Sequence, residues 1–176
     1  PCKFLMLLNS KLQEENEATL IIGDNNIQAK LEEGTITSRI IKDPYPDYEG
    51  VIPKDNTKTL IVDRELFAQA IKRVSIFSNK SSRQVALNIS ENRIIITTED
   101  PENITTGKET LDCDYDGEPM TIGYNAFYLK EVLQHQSSDE IKIMLNSPLI
   151  AGLFIPMNQE DNDNKTTLLM PIRLND

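Results

Sequence analysis

Apolar residues recur along this chain first at helical spacing and then at strand spacing, and that order repeats. Residues 2–9 read as a helical stretch, with strand-like segments near 18–22, 27–31 and 34–41. A second round opens with a strand at 59–62, turns helical over 63–75, and closes with strands at 85–90, 93–98 and 109–115. A third opens at 120–123, is helical over 125–134, and closes with strands at 141–145, 150–155 and 166–174. The pattern predicts an α+β fold built from β-α-β-β-β units with a period of about 55–60 residues. Each unit buries its apolar face only against neighbours.

The helices carry readable faces. In the second round Leu66, Phe67, Ala70, Ile71 and Val74 share one side, and Glu65, Gln69 and Lys72 the other. Asp63 is the expected N-cap, with Glu65 in the first turn to meet the helix dipole. In the third round Asn125 takes the cap position, and Tyr128, Leu129 and Val132 are expected to point inward. In the first, Phe4, Leu5 and Leu8 share a side, opposite Lys3, Met6 and Ser10. Each outer side therefore holds a lysine: Lys3, Lys72 and Lys130. By spacing alone these are ordinary solvated faces as readily as binding faces. The β-branched run 93–98 reads as a central strand, and Ser90-Glu91-Asn92 as the hairpin turn before it.

Residues 42–56 hold Pro44, Pro46 and Pro53 among turn formers and read as an extended linker. Asp116-Gly117-Glu118-Pro119 reads as a tight turn. The expected organisation is half a domain over 1–57 and a complete domain of two copies over 58–176. The chain starts at Pro1 within a helical pattern, without an initiator Met, so a fragment of a longer protein is expected.

At 176 residues and 39% hydrophobic the sequence supports a globular core. It has no run of about 18 apolar residues, as a membrane span needs, and no visible signal peptide. Cys2 and Cys113 lack metal-ligand spacing and read as reduced cytoplasmic thiols. The net charge of −10 argues, as an average, against nucleic acid. A charge separated between an outer and an inner surface would escape that argument.

Catalytic chemistry finds little support. Residues 112–117 imitate the start of a calcium loop, but Gly123 stands where the bidentate Glu belongs. Glu160, Asp161 and Asp163 read as a solvated loop. His135, the single histidine, lies at a predicted helix end with no nucleophile tied to it by a motif. No phosphate-binding glycine pattern exists. No cofactor, metal or catalytic residue is expected, and repeats of this kind build a surface or a ring.

Four stretches then carry a resemblance: the terminal Leu169-Met170-Pro171-Ile172-Arg173-Leu174, the linker's Tyr45-Pro46-Asp47-Tyr48 with Val51-Ile52-Pro53, Ser90-Glu91-Asn92, and Ile122-Gly123-Tyr124-Asn125. Together, and along essentially the whole chain, they resemble the bacterial DNA polymerase III β subunits, the sliding clamps. The resemblance implies a non-enzymatic processivity factor of the clamp fold. Two full-length protomers close into a homodimeric ring, sheets outside and helices lining a pore that holds duplex DNA without reading sequence. It implies that 1–57 is the second half of the middle domain and 58–176 the third domain. It shifts Lys3, Lys72 and Lys130 toward the DNA, and makes the acidic exterior a deterrent to DNA outside the ring.

The resemblance also implies an apolar groove for short linear peptides of DNA polymerase III, the clamp loader and other replication and repair proteins. Matching positions are Pro46, Val51, Asn125, Tyr128, Leu149, Leu168, Met170, Pro171, Ile172, Arg173 and Leu174. Gly50 and Ser82 depart from it, standing where a basic and a larger residue are expected. It further implies a dimer interface at Ile76 and Phe77, with acidic support from Glu99, Asp100, Glu102 and Glu109. The competing reading of Ile76 and Phe77 is a cap on their own core. The alternative for the whole chain is a β-rich interaction adaptor with no connection to DNA.

Overall fold

The computed structural model describes residues 1–12, 17–159 and 164–174, so Glu160, Asp161 and Asp163 lie outside the described residues. The chain divides into two compact units, Pro1–Asp47 and Tyr48–Asp176.

In the first unit, helix α1 (Cys2–Leu12) precedes an antiparallel meander of β1 (Thr19–Ile22), β2 (Asn26–Leu31) and β3 (Gly34–Arg39). Its buried core is small: Phe4 and Leu8 from the helix meet Ala29, with Ala18, Ile27, Leu31 and Ile36 around them. Leu5, expected on the inner side, is largely exposed. It sits one residue past Phe4, about 100° around the helix, and the contact stripe set by Phe4 and Leu8 is too narrow to include it.

The second unit starts with a single 3-10 turn, Glu49–Val51. It continues through β4 (Lys58–Asp63), α2 (Arg64–Val74), a further 3-10 turn (Ser75–Phe77), β5 (Gln84–Ser90), β6 (Arg93–Asp100), β7 (Thr105–Asp112) and β8 (Asp114–Tyr115). Then come β9 (Met120–Asn125), α3 (Ala126–Gln134), β10 (Glu140–Leu145), β11 (Gly152–Pro156) and β12 (Thr167–Leu169). Two antiparallel sheets result, with strand orders β12-β11-β10-β4-β8 and β7-β6-β5-β9.

These orders show that the two copies exchange their first strands. β4 opens the second copy yet pairs with β10 of the third, Leu60 opposite Ile143 and Val62 opposite Ile141. β9 opens the third copy yet pairs with β5 of the second, Ile122 opposite Leu87 and Tyr124 opposite Val85. The inner faces of both sheets and the facing sides of α2 and α3 share one contiguous core. β5 contributes Val85, Leu87 and Ile89, and β6 contributes Ile94 and Ile96, each at strand alternation. Phe67, Ala70, Ile71 and Val74 enter it from α2, and Ala126, Leu129, Val132 and Leu133 from α3.

Both helices start as the sequence predicts. The Asp63 carboxylate accepts from the Leu66 N–H at 2.7 Å, and the Asn125 side-chain oxygen from the Phe127 N–H at 3.0 Å. Two expected core residues face out. Leu66 is 54% exposed and Tyr128 58%. Each precedes a fully buried residue, Phe67 or Leu129, and lies at the border of the apolar stripe, where neither sheet reaches it.

Two strand expectations are corrected. The segment expected over 109–115 is two strands: β7 begins at Thr105 and pairs with β6 from Asp100 onward, whereas β8 joins the other sheet on β4. Residues 105–108 are nearly devoid of apolar side chains, so pattern alone misses an edge strand held by backbone pairing. The terminal strand expected over 166–174 ends at Leu169, and Pro171 has no N–H to continue a ladder. The tail then crosses to the other sheet, where the Ile172 N–H donates to the Gly123 carbonyl at 2.8 Å. Gly123 permits this approach, since a Cβ there would lie 2.6 Å from Leu174 Cδ2 and 2.8 Å from the Ile172 carbonyl oxygen.

Separately expressed halves, 58–118 and 119–176, should give no folded monomer, because the first would lack β9 of its sheet and the second would lack β4 and β8. Mixing them should restore native-like amide dispersion, and a half that folds alone would contradict the exchange. Gly123→Val should displace the tail and speed exchange of the Ile172 amide by at least about tenfold, with little effect on Ile96 in the core. Unchanged protection at Ile172 would count against the crossing.

Candidate functional site

Three surfaces of the second unit gather residues singled out by sequence. The first is a cleft of about 380 Å³ bounded by residues 50–56, residues 146 and 149–151, and Met170. Its floor is fastened by one side chain. Asn56 is buried, and its Nδ2 donates to the Met144 carbonyl at 3.0 Å and the Ala151 carbonyl at 2.8 Å. The Asn146 Nδ2 donates in turn to the Asp55 carbonyl at 2.6 Å. The linker's end is thereby held against the loop between β10 and β11. Val51, Leu149 and Met170 stand around this cleft with more than half their surface exposed. Three uncovered apolar side chains around one hollow can take apolar side chains from a ligand, and the Met can repack around different ones.

None of the other expected groove residues of the second unit lines that cleft. Leu168 is half-buried in β12, on the β11 edge, and β12 packs beside α3. Pro171 and Ile172 are half-buried where the tail crosses to β9, and Arg173 is exposed. Leu174 lies on Gly123 and lines a second, smaller hollow of about 200 Å³ with Gln84, Ala86 and Thr97. Asn125 is engaged in structure: besides capping α3, its Nδ2 donates to the Ser82 carbonyl at 3.0 Å. Tyr128 is exposed and meets Phe127 edge-on, ring centroids 5.5 Å apart. Pro46 belongs to the first unit, where it is exposed. Sequence reasoning missed Asn56, Ile52 and Ile150. A lone Asn in a linker carries no pattern that marks it as a staple.

The second surface is a hollow of about 510 Å³ along α2, lined also by Lys130 and Gln134 of α3. Lys72 and Lys130 share it, whereas Lys3 is exposed on α1 of the first unit. Two further cations line it and were not singled out. Arg64 Nε donates to the Ser138 carbonyl at 2.9 Å, with Glu65 at 3.4 Å. Arg73 grips the Glu109 carboxylate with two donors, Nε at 3.0 Å and NH2. That bond raises the guanidinium pKa and holds the Glu109 carboxyl below the usual carboxylate range. Among the described residues Lys72 and Lys130 have no ion-pair partner, which leaves their charge available.

The third surface is the β7 edge. Ile76 is 74% exposed and Phe77 is also exposed. The Phe77 ring lies against Gly107 of β7, and its carbonyl accepts from Thr105 Oγ1 at 3.1 Å. Glu99 and Glu102 are exposed. Asp100 is not available as a surface charge. It is buried, its carboxylate accepts from Asn103 Nδ2 at 2.7 Å, Asn79 Nδ2 at 3.3 Å and the Glu102 N–H at 3.2 Å, and the Asn103 bond leads in lowering its pKa.

Among the described residues no three His, Cys, Asp or Glu side chains are placed to hold a metal ion, and no helix is long and apolar enough to cross a membrane.

Comparison with known proteins follows the same outline. The family described as DNA polymerase III beta subunit, C-terminal domain, matches residues 49–173. The beta sliding clamp of Vibrio cholerae is 32% identical over 160 residues, covering 91% of this chain and 43% of the relative. That of Haemophilus influenzae is 33% identical over 175 residues, covering 99% and 47%. The solved Caulobacter crescentus pol III beta superposes with a TM-score of 0.86 at 31% identity, over 99% of this chain and 46% of that one. A Bartonella birtlesii DnaN sliding clamp bound to griselimycin gives 0.84 at 31% identity, over 99% and 46%. The chain thus spans less than half the length of the relatives it matches. With a family match running from the linker turn through the terminal tail, the chain belongs to the DNA polymerase III beta subunit family.

Proposed function

We propose that this chain is the C-terminal part of a sliding clamp that, at full length, encircles duplex DNA as a homodimeric ring. It holds DNA polymerase III and other replication and repair proteins through short peptides. It performs no chemistry. Its physical role is to keep a tethered polymerase at high local concentration on the template. In this reading 1–57 closes the middle domain, 58–176 is the third domain, and the protein acts in the cytoplasm. The carrying observation is the cleft at Val51, Leu149 and Met170. It joins the linker and the terminal tail, two of the stretches through which the sequence resembles clamps, at the β10–β11 loop. Family membership weighs against an adaptor unconnected with DNA.

Lys3, Lys72 and Lys130 would meet phosphates in the pore. Long cations on helices suit a surface that must attract a backbone without reading bases. Ile76, Phe77, Glu99 and Glu102 would meet the partner protomer along β7. Asp100 and Glu109 are held inside this chain and contribute by shaping that edge.

Deleting 170–176 from the full-length protein should abolish binding of a labelled clamp-binding peptide in a fluorescence titration and leave ring closure largely intact. Undiminished affinity after the deletion would sink the groove assignment. Reversing the charge of Lys3, Lys72 and Lys130 together should weaken DNA retention equally on unrelated sequences. It should also lower the slope of log affinity against log salt by about 2–3. A sequence-selective loss, or none, would contradict the pore assignment.

A further inference from the structure

The loop between β6 and β7 presents Ile104 in a form that folding alone does not favour. Its φ is +54°, in the left-handed region that Gly and Asn tolerate and β-branched residues avoid. It is also 91% exposed, more than any other large apolar side chain described. An isoleucine there carries backbone strain and buries nothing within its own unit.

The loop is nonetheless built with care. The buried Asp100 carboxylate gathers Asn79, Asn103 and the Glu102 N–H. On the other side Thr105 Oγ1 bonds the Phe77 carbonyl. These bonds tie the loop to the turn bearing Ile76 and Phe77, so three exposed apolar side chains stand at one end of the β7 edge. Two of the four expected acids, Glu99 and Glu102, stay exposed, and the other two are engaged within the chain. Asp100 faces inward, and Glu109 is gripped by Arg73. The expectation of an edge recognised through its acids therefore loses two of its four carboxylates.

We propose that Ile104 is a specificity-determining contact of protomer closure, inserting into an apolar hollow on a second copy of the full-length protein. This rests on the interface reading of Ile76 and Phe77. Its occupant follows from continuity with those two residues, to whose turn the Thr105 Oγ1 bond to the Phe77 carbonyl ties the loop. The strain is retained because a rigid, outward-held knob enters a partner without first being ordered.

The test compares variants of the full-length protein by sedimentation, with thermal unfolding of each. Asn and Gly both accept φ +54°, so Ile104→Asn and Ile104→Gly should keep or raise Tm, by up to about 5 °C. Both should weaken the dimer about tenfold or more, whereas Ile104→Leu should stay within about threefold of the parent. Ile76→Ala with Phe77→Ala serves as the reference and should give monomer. If the reference is monomeric but Ile104→Asn and Ile104→Gly dimerise like the parent, the Ile104 proposal is overturned and the interface stands. If the reference also remains dimeric, the interface reading itself falls.

Discussion

Backbone hydrogen bonds that pass between the two copies of the repeat hold the second unit together, and its other features depend on them. β4 completes the sheet of the third copy and β9 that of the second. The exchange seats Leu60, Val62, Ile122 and Tyr124 inside a core that neither copy could close alone. It sets α2 and α3 against each other, which brings Lys72 and Lys130 to one hollow. It also fixes the sheet edges: β7 is left open, and β11 is covered by β12 before the tail crosses to β9. The cleft, the cationic hollow and the apolar edge are therefore three outcomes of one pairing scheme.

Much of the element order was legible because helices and strands place apolar residues at different periods. The helix at 64–74 and the alternation through Val85, Leu87 and Ile89 need no knowledge of neighbours. The exchange of first strands was not legible. Pairing partners such as Lys58 and Leu145 lie 87 residues apart, and an alternating strand accepts any complementary edge. The same blindness explains Leu5, Leu66 and Tyr128. Each lies at the border of an apolar stripe, and only the position of the opposing sheet decides whether such a residue is covered. β7 escaped detection at 105–108 because an edge strand needs backbone partners, not apolar side chains.

The site was legible in a different way. The apolar, Met- and Pro-containing terminus marked itself as a segment needing a partner, whereas Val51 and Leu149 were singled out only through family resemblance. The structure adds what side-chain type could not tell. Asn125 and Asp100, both polar and both credible contact residues, are committed to holding backbone in place. Asn56 is the reverse, a residue of no apparent note that fastens the cleft. A carboxylate or amide in a sequence does not say which way it faces, and burial settles that.

Strand exchange carries a consequence for descent and stoichiometry. A single β-α-β-β-β copy with this pairing preference has one way to complete its sheet: trading first strands with an identical molecule about a two-fold axis, as in a swapped dimer. The turn at 116–119 makes the same trade within one chain, so that it no longer depends on protein concentration. What would be a subunit interface becomes a hydrophobic core, and the two copies lose their interchangeability. Each is then free to specialise, one toward the open β7 edge and the other toward the tail and its cleft.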